Sequence, residues 1–336
     1  MKIDIAIIGV SGYTGLELVK LILNHPIFNI AYLATSSGDT TIEALHPALK
    51  GVLTKEVKRV DIQKIAKECE LAFLALPHKS AMSIAKELIK NGIKVVDLSA
   101  DYRLELETYE KTYCPHEDKE NLKYSAYGLI EYFRDEIKSA KVTASPGCYP
   151  TATLLGLLPF IKYIKEDSPI FIDAKSGVSG AGKKLSQTTH FVTINENIFA
   201  YNPLKHRHAP EIKEKIQKLY NKEFNINFVP HLIPITRGEL VSIYATLKED
   251  IKPLEILKER YKDEAFIRVR EVAVNVKDVA GTHFCDIFAA INGNSLFISS
   301  AIDNLLRGAS SQALASANLM CNLDENLGLP TIAYVP

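Results

Sequence analysis

Cys148 lies in the segment Ala144-Ser145-Pro146-Gly147-Cys148-Tyr149-Pro150-Thr151-Ala152, a turn directly before an apolar helical run at residues 153–161. With Pro150 suited to a first helical position, the thiol would sit beside unpaired backbone N–H groups and the positive end of a helix dipole. Both favour the thiolate, which is the nucleophilic form. Taken alone, the residue reads equally as a buried structural cysteine.

A second group with chemistry in it is His206-Arg207-His208-Ala209-Pro210-Glu211, two imidazoles, a guanidinium and a carboxylate within six residues. In an extended segment His206 and His208 share one face, while Pro210-Glu211 opens a helix at residues 212–219. A histidine near Cys148 would accept its proton and later shuttle protons to a substrate oxygen. Zinc binding by the H-x-H pair competes with this, but no cysteine or acidic cluster completes a ligand set, so no metal is expected. His25, His46, His116, His190, His231 and His283 read as surface or core hydrogen-bonding residues.

The elements that must position these groups begin with Ile3-Asp4-Ile5-Ala6-Ile7-Ile8, a buried strand pattern. Gly9-Val10-Ser11-Gly12-Tyr13-Thr14-Gly15 follows and leads into an amphipathic helix at residues 16–23. Glycines let such a turn approach a pyrophosphate, and the helix N-terminus supplies N–H donors. The spacing G-x-x-G-x-x-G is a variant of the dinucleotide fingerprint, with a merely structural turn as the alternative. After a second strand at residues 29–34, Ser36 and Ser37 stand where an NAD site carries a carboxylate, ~20 residues beyond the fingerprint. Hydroxyls there bind a 2′-phosphate without repelling it, which favours NADP, although no arginine lies in the stretch and Asp39 is close by.

Alternation continues with a strand at 71–76, a helix at 80–90 and a strand at 95–98. Pro77-His78 falls at a strand's C-terminal end, where open α/β sheets bind ligands. Past Cys148 the texture changes. A strand at 170–174 runs into Ser176-Gly177-Val178-Ser179-Gly180-Ala181-Gly182-Lys183, a loop whose backbone could approach a nicotinamide or a phosphate, with Lys183 as a cation. Long strand patterns at 238–247 and 267–276 precede a hairpin, 284–291 with 295–302, turning at Asn292-Gly293-Asn294. A final Ala/Ser/Leu-rich helix at 305–323 could return to the first domain. The expected division is 1–147 with 303–336 as a dinucleotide-binding domain, and 148–302 as an α+β catalytic domain with a largely antiparallel sheet.

Composition sets outer limits. The 336 residues carry 40 basic against 40 acidic side chains, so no surplus charge points to nucleic acid or an anionic membrane. Five cysteines without a C-x-x-C pair fit a reducing compartment better than a disulfide scaffold. With no export signal, and apolar runs far short of the ~20 residues of a membrane span, a cytoplasmic protein is expected.

Together these residues resemble the N-acetyl-γ-glutamyl-phosphate reductase family over essentially the full length. The landmarks are Gly9–Gly15, Leu76-Pro77-His78, Leu98-Ser99-Ala100-Asp101-Tyr102-Arg103-Leu104, Ala126-Tyr127-Gly128-Leu129, and Pro146-Gly147-Cys148-Tyr149-Pro150-Thr151 with Gly156 and Pro159 behind it. Ser176–Lys183, His206–Glu211, Pro230-His231-Leu232-Ile233-Pro234 with Arg237-Gly238, and Asp303-Asn304-Leu305 complete them. Three positions depart from the usual pattern: Ile130, where proline is common, Ser145, often asparagine, and Lys183, often arginine.

The resemblance implies an α/β protein, a Rossmann-type NADP-binding domain plus an α+β catalytic and dimerisation domain of the semialdehyde-dehydrogenase type. It implies Cys148 as nucleophile and His206 as base, with His208, Glu211, Asp101 and Arg103 near the substrate. Gly9, Ser11, Gly12, Tyr13, Thr14, Gly15, Ser36, Ser37, Ser179, Gly180, Gly182, Lys183 and Asn304 would bind the cofactor, and the assembly would be a homodimer or homotetramer. A reductase of a related acyl phosphate, aspartyl or carrier-borne aminoadipyl, shares these chemistries, and a non-catalytic NADP-binding sensor is the alternative of another class.

Overall fold

The computed structural model describes residues 2–334. The chain forms two compact units, one of residues 1–146 and 309–330, the other of residues 147–308 and 331–336. Relative to the sequence expectation, the first crossing falls one residue earlier, at Pro146/Gly147, and the return at Gly308/Ala309 comes six residues later. Residues 331–334 belong with the second unit. A charged and buried cluster accounts for the later return: Asp303 is held by Arg237 and by the N–H groups of Gly281, Leu305 and Leu306, all in the second unit.

In the first unit six strands form one parallel sheet in the spatial order Phe28–Ala34, Ile3–Ile8, Leu71–Leu74, Lys94–Asp97, Val142–Ala144, Ser125–Tyr127. The strands are apolar on both faces, as a sheet covered by helices on each side requires. Ile5, Ile7, Ile8, Leu71, Phe73, Leu74, Val95 and Val96 are all fully buried. The helices Tyr13–Leu23 and Met82–Lys90 connect consecutive strands. The returning helix, Ser311–Met320, is buried along its whole length and packs on Ile130–Ser139. Its start is tied to the glycine turn by Ser310 Oγ, which donates to the Thr14 carbonyl at 3.0 Å.

The second unit holds a seven-stranded mixed sheet, ordered Phe199–Ala200, Ile226–Ile233, Ile170–Gly177, Glu239–Thr246, Ser295–Ile302, Cys285–Asn292, Ile267–Val269. Four of its six pairings are antiparallel. Cys148–Leu157, His208–Tyr220 and Pro253–Tyr261 are its main helices, and the first of these packs against Glu239–Thr246 and Ser295–Ile302. The hairpin closes on two residues, Gly293-Asn294, with Asn292 paired to Ser295 and Gly293 at φ +57°. The long strand expected at 267–276 is a correction. Pairing stops at Val269, with one last bond from the Arg270 N–H to the Ile287 carbonyl at 2.8 Å, and beyond it Val272 stands exposed instead of packing as a strand residue would. Alternating valines alone do not distinguish a paired strand from an extended loop.

Candidate active site and cofactor-binding residues

Cys148 is the first residue of the helix Cys148–Leu157, with Gly147 as its N-cap. Pro150 therefore stands third in the helix rather than first, a position whose N–H also has no partner within the helix. Gly147 has no side chain to cap this terminus and no acid occupies its first turn, so the helix N–H groups and dipole bear on the thiol. Cys148 is partly exposed, whereas every other residue of the helix is buried. The remaining cysteines differ from it: burial pushes the Cys69 thiol up to about 12 and that of Cys321 up to about 11, and Cys285 is buried.

The turn before Cys148 is gripped by the helix His208–Tyr220. Glu211, 1 % exposed, accepts the Gly147 N–H at 3.0 Å. His208 lies so close that a Cβ on Gly147 would come within 2.6 Å of its Nε2. From the other side Gly308 leaves room for the cysteine, since a Cβ there would fall 2.6 Å from Cys148 Cβ. His208 opens its helix, so His206-Arg207-His208 is a turn and not the extended piece expected from sequence. The two imidazoles nevertheless meet edge to face, 4.7 Å between centroids, and His206 packs in the same way on Tyr149 and Tyr201.

His206 is a neutral ring. Burial, with Arg207 adding to it, draws its pKa down to about 4. Its Nδ1 accepts the His208 N–H at 3.3 Å, which puts the ring proton on Nε2. His206, the base expected from the resemblance, thus stands as a neutral ring with its proton on Nε2. Tyr201 donates to the Tyr149 hydroxyl, and Tyr149 donates to the His231 carbonyl, both at 3.2 Å.

Sequence reasoning missed Glu239, the first residue of the strand Glu239–Thr246. It is fully buried, on a strand over which the Cys148 helix packs, and its carboxyl oxygens meet no hydrogen-bond partner. Burial pushes this carboxyl up to about 8. A single glutamate at the head of an alternating strand carries no sequence signal of such a position.

Also in the second unit, Ser176 and Gly177 complete the strand Ile170–Gly177, and Val178–Ala181 make a short 3-10 turn. Gly182, at φ +81° with open space around it, and Lys183 are exposed. Asn304 holds this turn to the next loop: its side chain donates to Ser179 Oγ at 3.0 Å and accepts the Gly238 N–H at 2.7 Å.

The first unit carries the glycine turn. Gly9, at φ +98°, has no room for a Cβ, which would lie 2.2 Å from the Ala75 carbonyl oxygen, and Gly15 packs as tightly on Gly9. Gly12, the N-cap of Tyr13–Leu23, has only the Gly9 carbonyl oxygen near its Cβ position, at 3.7 Å, with exposed Ser11 and Tyr13 beside it and no cap or acid at the helix start. This uncapped terminus suits a pyrophosphate. Ser36 and Ser37 are exposed at the end of the neighbouring strand. The arginine missing from that stretch arrives from elsewhere: Arg59 Nε donates to the Ser37 carbonyl at 2.9 Å, and its guanidinium lies 3.8 Å from Asp39. The bridge between Ala34 and Lys58 delivers it there.

Asp101 and Arg103, expected near a substrate, are buried in the first unit. The Asp101 carboxylate accepts the Lys79 and Ala81 N–H groups and the Tyr109 hydroxyl, so it shapes the loop after Pro77-His78. Arg103 donates to the Ser145 and Leu98 carbonyls. Among the described residues no group of three His, Cys, Asp or Glu side chains is arranged to hold a metal, and no helix is long and apolar enough to cross a membrane.

Residues 4–140 match the family model for the semialdehyde dehydrogenase NAD binding domain, and residues 148–304 that for the semialdehyde dehydrogenase dimerisation domain. The chain is 68 % identical over 334 residues to an N-acetyl-gamma-glutamyl-phosphate reductase of Sulfurovum sp. (strain NBC37-1), covering 99 % of this chain and 100 % of the relative. A relative of the same name from Wolinella succinogenes is 60 % identical over 100 % of this chain and 99 % of its own. Among solved structures, aspartate semialdehyde dehydrogenase II from Vibrio cholerae aligns with a TM-score of 0.73 at 16 % identity, over 96 % of this chain and 99 % of that one. The Candida albicans aspartate semialdehyde dehydrogenase with NADP gives 0.70 at 13 % identity, over 97 % and 99 %. These two likenesses speak to the fold.

Proposed function

We propose that this chain, which belongs to the N-acetyl-gamma-glutamyl-phosphate reductase family of semialdehyde-dehydrogenase-type proteins, reduces N-acetyl-L-glutamyl 5-phosphate to N-acetyl-L-glutamate 5-semialdehyde with release of phosphate. That is a step of arginine biosynthesis. The observation that carries the reading is Cys148 at an uncapped helix N-terminus, its turn fixed by Glu211 and His208.

In this reading the Cys148 sulfur attacks the γ-acyl carbon and phosphate departs with its bonding electrons, leaving a thioester. NADPH, when bound, supplies a hydride to that carbonyl. The thiohemiacetal then collapses, breaking the C–S bond and returning the electron pair to sulfur. Sulfur serves because it is both a strong nucleophile and a good leaving group. His206 Nε2–H and backbone N–H groups at the helix start stabilise the negative oxygen that forms at each tetrahedral stage. Glu211 and His208 keep the Cys148 turn in place for attack.

NADP rather than NAD is the cofactor we propose, held by the Gly9, Ser11, Gly12, Tyr13, Thr14 and Gly15 turn, with Ser36 and Ser37 at the ribose. Arg59 beside Ser37 is the cation that a 2′-phosphate calls for, and it is the observation that favours NADP. Ser179, Gly180, Gly182, Lys183 and Asn304 are assigned to the nicotinamide end.

A second copy is the partner. Phe171, Tyr244 and Phe297 lie in register across three adjacent strands, and Phe171 and Tyr244 are 52 % and 48 % exposed, an apolar stripe that a like sheet would cover. The reaction belongs in the cytoplasm, where a free thiol stays reduced. The direct test is mass spectrometry of the protein mixed with the acyl phosphate without NADPH. An N-acetylglutamyl adduct on the Cys148 peptide is expected; acylation elsewhere, or none, overturns the mechanism.

A further inference from the structure

The Pro77-His78 pair has no part in the mechanism above, yet the first unit holds His78 in one fixed pose. Its Nδ1 accepts the Ala100 N–H at 2.8 Å, which puts the ring proton on Nε2. Asp101, the next residue, grips the chain just past the histidine: its carboxylate accepts the Lys79 N–H at 2.8 Å and the Ala81 N–H at 3.2 Å. Asp101 is itself immobilised, its N–H donating to Ser99 Oγ and its carbonyl accepting from His116 Nε2. Lys79 stands at φ +73°, a left-handed conformation that a lysine keeps only where its neighbours impose it. Tyr113 lies against the His78 ring, 5.7 Å between centroids, and is stacked in turn on Tyr109, whose hydroxyl donates to Asp101. So much restraint on a half-buried polar ring is what a ligand donor requires.

We propose that His78 Nε2–H is a donor to the nicotinamide ribose of the bound cofactor, an inference that rests on the NADP reading above. Leu71–Leu74 comes after Phe28–Ala34 in the chain yet lies on the opposite side of Ile3–Ile8, so the strand order reverses at this point. Open α/β sheets bind their ligands at such a reversal, outside the carboxyl ends of the strands. The glycine turn and residues 75–78 leave the sheet there side by side. The Ala75 N–H donates to the Ile8 carbonyl at 2.8 Å, and it is the Ala75 carbonyl that denies Gly9 a Cβ. Along this edge Ser36 and Ser37 follow the first strand, the glycine turn the second and Pro77-His78 the third, each ~4.8 Å from the next. A dinucleotide with its adenosine ribose at the first and its pyrophosphate at the second brings its other ribose to the third. The hydroxyl oxygens of that ribose accept hydrogen bonds, and Nε2–H is the donor the imidazole has left once Nδ1 is held by Ala100.

The test is titration calorimetry on the full-length protein, wild type and His78→Ala, with three ligands. These are NADP, 2′-phospho-ADP-ribose, which lacks only the nicotinamide, and adenosine 2′,5′-bisphosphate, which lacks that ribose as well. Loss of one neutral hydrogen bond predicts a Kd about three- to tenfold higher for the first two and unchanged for the third. The unchanged third ligand also shows that the variant is folded around its adenosine site. Equal weakening of all three, or of none, overturns the proposal. Weakening of NADP alone moves the contact to the nicotinamide ring and overturns the ribose assignment. If the wild-type protein binds NAD more tightly than NADP, the cofactor reading fails, and the same comparison with NAD, ADP-ribose and AMP judges His78 separately.

Discussion

His208 occupies the space that a side chain on Gly147 would need, its Nε2 lying 2.6 Å from the Cβ position. Gly147 has an ordinary φ of −65°, so glycine is needed there for room and not for backbone conformation. The obstructing atoms are the far end of a ring that can swing aside. Gly147→Ala should therefore cost stability no more than about 1–3 kcal/mol and fall mainly on turnover, because His208 is displaced. Thermal unfolding together with kcat checks this. Gly308→Ala is the contrast: its Cβ would meet the Cβ and Cα of Cys148 itself, and unfolding should shift markedly.

Arg59 beside Ser37 gives a cofactor prediction. Replacing Arg59 with Ala should raise KM for NADPH roughly ten- to a hundredfold, the worth of a charge-assisted hydrogen bond, and leave KM for NADH nearly unchanged. Steady-state kinetics with both cofactors decides the point. Equal effects on the two would move the 2′-phosphate site elsewhere.

His206, as an N–H donor, should be partly replaceable by another donor. His206→Gln is expected to retain more activity than His206→Ala, with both well below wild type and with unchanged alkylation of Cys148. A Gln variant no better than Ala, together with slowed alkylation, would restore the imidazole to the role of thiol base.

Stability should fall above pH 6.5 for an identifiable reason. Glu239 and Asp97 have folded values raised by burial, to about 8 and about 7. Their contribution is fully present below the ordinary carboxylate range and is lost as pH rises through those values, with a slope on the order of 1.4 kcal/mol per pH unit for each group in that window. His206 works the other way: lowered to about 4, it leaves the unfolded chain binding more protons between about 4 and 6.5, where it offsets part of the carboxyl slope, and it adds nothing above that range. The melting temperature should decline from pH 6.5 to pH 8, and Glu239→Gln should flatten that limb.

The stripe Phe171–Tyr244–Phe297 predicts the assembly. Tyr244→Asp should convert a dimer to monomer in sedimentation velocity without unfolding it. An unchanged sedimentation coefficient would place the interface on another surface.

Much of this was legible because it is local. The Gly9–Gly15 turn declares itself, since Gly9 needs a positive φ and Gly15 needs the absence of a Cβ. The Cys148 turn was visible as a cysteine before an apolar run, although the helix begins at the cysteine itself. What was hidden depends on chain segments far apart in sequence. Arg59 reaches Ser37 across 22 residues through the bridge of Lys58 to Ala34, and the strand of Glu239 meets the Cys148 helix only in the folded unit. Asp101 was expected near the substrate from family resemblance alone, and its three hydrogen bonds to Lys79, Ala81 and Tyr109 carry no local sequence signal.

The most direct test mixes the purified protein with N-acetyl-L-glutamate 5-semialdehyde, NADP and phosphate and follows NADPH absorbance. Phosphate-dependent NADPH formation, lost in Cys148→Ser while NADPH binding is kept, is the expected result. No NADPH from a folded protein that binds NADP, or formation indifferent to phosphate, would contradict an acyl-phosphate reductase acting through Cys148.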